Sequence, residues 1–157
     1  MFEFSFPSRL GFIELLYTKT PLYLIKNTYI QAIGNSQNGN TLDMEYTELD
    51  HFKGKDKIVA AIYARLIDEL RKFGQLKIEP KKTSIHLGNR FGFAGIYTRK
   101  DYINLEIHLN YKLASKRAGK TEQASPNRFH HTIKLAGKKD IDRELIDWLK
   151  QAYDLKK

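Results

Sequence analysis

Ten polar side chains fall on alternate positions of three short segments: Lys82, Ser84 and His86; Asn104, Glu106, His108 and Asn110; His130, Thr132 and Lys134. Alternation with apolar residues is the period of a β-strand, so each group shares one face of its strand. Histidine changes charge near neutral pH and ligates divalent metals, and a carboxylate beside it supplies a base or a further ligand. His86, Glu106, His108 and His130 are therefore the candidate catalytic residues, for a hydrolase or a metal-dependent reaction. The competing reading is the solvated face of an antiparallel sheet. The sequence favours it, because no HExxH or comparable spacing marks a metal site. No metal and no cofactor are expected.

The second chemistry is anion binding. Between Lys77 and Lys139 there are fourteen Lys and Arg against Glu79, Asp101, Glu106 and Glu122, a local net of +10. Lys82, Arg90, Lys116, Arg117, Arg128 and His130 are the candidate ligand-binding residues. Lys116, Arg117, Lys120 and Arg128 could close over a phosphate or follow a nucleic-acid backbone, with Tyr97, Tyr102 or Tyr111 stacking on bases. Turns are also where soluble proteins carry their lysines. No helix is basic along one face, which argues against a sequence-specific DNA reader. Phosphate-binding glycine loops, nucleophile elbows and kinase signatures are absent.

The elements that must position these residues centre on 101–113. There Ile103, Leu105, Ile107, Leu109, Tyr111 and Leu113 alternate with the polar set, which predicts one long half-buried strand. Upstream, Ile58, Ile62, Leu66 and Leu70, flanked by Val59, Tyr63 and Ile67, predict an amphipathic helix over 56–73, stopped by Gly74. Strands are predicted over 75–79, 83–87 and 91–98, with connections too short for anything but antiparallel neighbours. Residues 114–127 lack a hydrophobic period and read as a long exposed loop or an elongated hairpin tip. A strand over 128–135 and a helix over 141–153 complete the set. That helix has Asp140 as N-cap, Asp142 and Glu144 complementing its start, and Trp148 and Tyr153 in its buried stripe. The expected fold is α+β in two layers: a helix, a four- or five-stranded antiparallel sheet and a C-terminal helix, both helices on one face.

A chain of 157 residues with 41% hydrophobic residues supports one domain with a real core, here 44–157, preceded by an appendage at 1–43. Residues 1–43 carry three basic and three acidic residues, so the whole net charge of +9 lies beyond them. They read as short strands followed by a flexible linker at 34–40, and the charge discontinuity raises a natural start near Met44. There is no cysteine, which excludes disulfides, thiolate zinc sites and cysteine nucleophiles. No apolar run approaches the ~18 residues of a membrane span, and no signal-peptide pattern occurs, so a cytoplasmic protein is expected.

Several fragments in order resemble a known family: His51-Phe52-x-Gly54-Lys55, Lys82-Thr83-x-Ile85, Arg90-x-Gly92-Phe93-Ala94, Arg117, His130-His131-x-Ile133-x-Leu135, and Asp140-Ile141-Asp142-x-Glu144-Leu145-x-x-Trp148-Leu149-x-x-Ala152-Tyr153. They are similar to the domain of unknown function 5655 over about 48–153. The resemblance implies a small bacterial α+β domain with no established activity. Members of similar length often begin with a cysteine- and histidine-bearing segment, which this chain lacks. The expected function is thus a non-enzymatic module binding nucleic acid or a phosphorylated molecule through the open sheet face and the basic loop 114–128. The alternatives are the histidine-based enzyme and a protein-interaction or regulatory domain.

Overall fold

The computed structural model describes residues 46–155, which lie within one unit spanning Asn38–Lys157. The strands, linker and start expected within 1–43 lie outside the described residues. A short 3₁₀ turn, Glu48–Phe52, opens the described chain, with the Asp50 carboxylate accepting from the backbone N and the hydroxyl of Thr47. Helix α1 (Lys57–Arg71) follows and buries Val59, Ile62, Tyr63, Leu66, Ile67 and Leu70. Ile58, expected on this stripe, is instead exposed. An i, i+4 row drifts roughly 40° per step around a helix, and over three steps it carries Ile58 off the face that Leu70 buries. The helix run ends at Gly74, whose φ of +127° suits glycine and where a Cβ would lie 3.0 Å from the Tyr153 hydroxyl.

Six strands then form one antiparallel sheet: β1 (Lys77–Pro80), β2 (Ile85–Gly88), β3 (Gly92–Thr98), β4 (Ile103–Leu109), β5 (Ala118–Ser125) and β6 (Arg128–Leu135), in the spatial order β1-β2-β3-β4-β6-β5. Helix α2 (Arg143–Asp154) closes the fold. The α+β class holds, with six strands rather than four or five. The additional strand is β5: of the two forms left open for 114–127, the structure shows the hairpin, with only Pro126 and Asn127 between β5 and β6. An edge strand that buries neither face carries no hydrophobic alternation, and β5 is held by its backbone ladder to β6.

The strand expected over 101–113 stops at Leu109. The chain turns at Asn110 and Tyr111, because the carbonyl of Tyr111 accepts from His131 Nε2 at 3.0 Å and its hydroxyl donates to Gln151 Oε1 at 2.8 Å. Leu113 still reaches the core. This detour lets β6 rather than β5 pair with β4. His131 is wholly buried; with Nε2 donating to that carbonyl, Nδ1 accepts from the Thr121 hydroxyl at 3.1 Å and ties β5 to β6.

Ile85, Leu87, Ala94, Ile96, Ile103, Leu105, Ile107, Ile133 and Leu135 all face the helix layer, where both helices pack. Each large aliphatic buried there contributes about 1.5–3 kcal/mol of transfer free energy. A bulge between Leu87 and Gly88 puts Phe93 on this side as well as Ala94, and Phe93 meets Tyr153 edge to face at 5.5 Å. Helix α2 begins two residues later than expected. Its N-cap is Asp142, which accepts from Leu145 N at 3.0 Å, whereas Asp140 caps the preceding 3₁₀ turn by accepting from Ala136 N and Gly137 N.

Candidate functional site

The face of the sheet away from the helices carries the polar alternates. On β4 and β6 the register pairs Glu106 with Thr132 and His108 with His130. Directly opposite residues on one face are in side-chain contact, and the two imidazoles stack with centroids 4.1 Å apart and planes 22° apart. His108 Nε2 donates to Glu106 Oε1 at 3.0 Å, and His130 Nδ1 lies 3.5 Å from the same oxygen. One ligand atom from each of the three residues falls within 4.8 Å of the others.

Strand β3 flanks this cluster with two glycines and Tyr97. Gly95 sits beside Glu106 in the register and brings no side chain, while the bulge turns Phe93 away and leaves Gly92 O 3.5 Å from His108 Nδ1. Tyr97 leans over Gly95, so that its Cε2 would be 3.5 Å from a Cβ there. Burial raises the Tyr97 phenol above its usual pKa, and the Glu106 charge adds to this. Burial pushes the His130 imidazole below the usual histidine range and the neighbouring His108 adds to the fall, against the pull of Glu106. His130 Nε2 is buried with no hydrogen-bond partner among the described residues. A groove of about 320 Å³ opens next to His108, lined also by Asn110, Ser125, Asn127, Arg128 and Leu155.

The expected residues divide sharply. Glu106, His108 and His130 come together; His86 does not. It shares the open face, but Gly95 lies between it and Glu106 in the register, two strands or about 10 Å away. Arg128 reaches the groove. Lys82 and Arg90 are exposed in the β1–β2 and β2–β3 turns, at opposite ends of the sheet, and Lys116 is exposed in the β4–β5 connection. Arg117 points to the helix layer. Its Nη1 donates to both Asp142 oxygens at 2.8 and 2.7 Å and to Glu144 Oε2 at 3.1 Å, its Nη2 donates to Asp140 O at 2.7 Å, and the group lies 5.8 Å from the Trp148 ring centre. It is a clamp on the start of α2. Lys120 pairs with Glu122. The open face as a whole is close to neutral, with Lys77, Lys120, Arg128 and Lys134 against Glu79, Glu106 and Glu122.

The family model of the domain of unknown function DUF5655 matches residues 48–156, well over half of the chain. The chain belongs to the DUF5655 family. No curated protein and no solved structure matches it.

The positive charge of this DUF5655 domain gathers at one end of the sheet, a grouping that linear reading did not assemble. Alternate connections of an antiparallel sheet return to the same end, so Lys81 and Lys82, Arg99 and Lys100, and Lys138 and Lys139 after β6 all meet there. The start of α1 joins them: Asp56 N donates to Lys100 O at 2.8 Å, and Thr98 Oγ1 donates to His51 O at 2.8 Å. The 3₁₀ turn at Lys138–Asp140 packs against α1. That brings in Lys53, Lys55 and Lys57. Lys53 pairs with Asp50 and Lys81 with Glu79; Lys55, Lys57, Lys82, Arg99, Lys100, Lys138 and Lys139 form no ion pair among the described residues. The only advance signal was the recurrence of basic pairs in every second turn.

Proposed function

We propose that this domain is a non-enzymatic binding module for nucleic acid, engaged through the phosphate backbone by the cationic end of the sheet. The observation that carries the reading is the set of unpaired cations drawn from four separate connections to one end. From the β1–β2 turn to the end of β6 the row covers three and a half strand spacings, roughly 17 Å. That outsizes a single phosphate and suits a polymer that carries one charge per about 1.7 Å of duplex axis. Mixed charge on both helices supports backbone rather than base recognition. The reading takes the protein to be bacterial and cytoplasmic; among the described residues no helix is long and apolar enough to cross a membrane.

Fluorescence anisotropy with labelled single- and double-stranded DNA and RNA tests it. Affinity is expected to fall steeply with salt, and a variant replacing Lys82, Arg99, Lys100, Lys138 and Lys139 with Ala should flatten the salt dependence by roughly one unit of slope for each phosphate no longer neutralised. No retention of any probe at low salt, or an unchanged slope in that variant, refutes the proposal. The enzyme alternative is favoured by one observation, the convergence of Glu106, His108 and His130.

A further inference from the structure

We propose that Glu106, His108 and His130 form a binding site for a first-row divalent transition-metal ion. The site stands apart from the cationic end and does not depend on the nucleic-acid reading. Its donor set is two imidazole nitrogens and one carboxylate oxygen, which suits ions such as zinc, cobalt or manganese.

The donor separations bring one ion within reach of all three residues once the imidazoles, stacked 4.1 Å apart with planes 22° apart, turn their ring planes toward it. Metal–ligand bonds of about 2.0–2.2 Å set ligand atoms roughly 3.4 Å apart in a tetrahedral site. His108 Nε2 and His130 Nδ1 lie 3.0 and 3.5 Å from Glu106 Oε1, and all three ligand atoms fall within 4.8 Å. Two hydrogen-bonded strands hold them, a scaffold that limits the movement required. The side chains are 14%, 26% and 25% exposed for His108, Glu106 and His130, enough cover to shed competing water and enough opening for an ion to enter. His108 Nδ1 faces the Gly92 carbonyl, the kind of outer contact that orients a ligating imidazole. Three protein ligands leave a coordination position free, and exposed Gly92, whose carbonyl faces His108, brings no side chain to that flank.

The other histidines offer no comparable site. His131 uses both ring nitrogens within the fold, His51 is buried below the cationic end, and His86 stands two strands away. With five histidines and no cysteine in the whole chain, a tight site for a soft or borderline ion has few other places to form.

The test is isothermal titration of chelator-treated full-length protein with zinc and cobalt chlorides, with the visible spectrum of the cobalt form reporting coordination. One equivalent is expected to bind and to raise the melting temperature. His108→Ala, His130→Ala and Glu106→Gln should each weaken binding by about tenfold or more, whereas His86→Ala should leave it unchanged. Absence of stoichiometric binding by the wild type, or full affinity in the His108→Ala/His130→Ala double variant, overturns the proposal. If a variant fails to fold, cobalt-induced shifts of the His108 and His130 ring protons in wild-type NMR spectra decide the same question: shifts at both support the site, and shifts at His86 alone refute it.

Discussion

Arg117 and Asp142 are joined through two oxygens: the Nη1 of one donates to both carboxylate oxygens of the other, at 2.8 and 2.7 Å. Twenty-five residues apart in the chain, they fasten the entrance of β5 to the N-cap of α2. The Arg117 hydrogen bond holds the Asp142 carboxyl below the usual aspartate range. Arg117→Ala removes this pairing along with the bonds to Glu144 and the Asp140 carbonyl. The expected loss is about 1–3 kcal/mol in urea unfolding, towards the lower figure because the carboxylates are partly solvated. Arg117→Lys should recover only part of it, since an ammonium cannot span the same acceptors. Nucleic-acid affinity should be nearly unaffected, whereas a large loss in this variant would assign Arg117 to the binding surface.

Burial holds the His51 imidazole below the usual histidine value, with Lys55 adding to the fall and the Lys81 backbone bond and Asp50 opposing it. The unfolded chain therefore takes up a proton at a pH where the folded chain does not. Stability from this residue is complete above the unfolded pKa and falls as the pH drops towards the lower folded one. Urea unfolding at pH 7.5 and 5.0 should show a larger loss for the wild type than for His51→Gln, which has no charge to gain. Equal losses would mean that His51 titrates alike in both states.

A Cβ on Gly88 would lie 2.9 Å from the Phe91 carbonyl oxygen, a backbone atom that cannot swing aside. Gly88→Ala must then open the β2–β3 turn and disturb the bulge that sends Phe93 into the core. The expected cost is about 1–3 kcal/mol in chemical denaturation. Gly92→Ala, four residues on, has nothing within 4 Å of its added methyl and should change stability by less than about 1 kcal/mol. Similar values for the two would argue that the turn is pliable.

Much of the fold was legible where one face of an element is buried, because burial imprints a period on the residues. The β4 alternation, the α1 and α2 stripes, the Gly74 stop and the core positions of Trp148 and Tyr153 all follow from that. The strand β5 was not, since an edge ladder is held by backbone hydrogen bonds that any sequence can make. The period of two also determined, from the chain alone, that Glu106, His108 and His130 face away from the core. Only the pairing of β6 with β4 decided that His108 and His130 stand opposite one another and that His86, of identical type and face, is left out. Likewise the excess of positive charge was written in the composition. Its concentration at one end, and the engagement of Arg117 with the start of α2 rather than with a ligand, came from strand order and from which turns return to the same side. Strand order depends on interactions between residues far apart in sequence, and local periodicity carries no information about those.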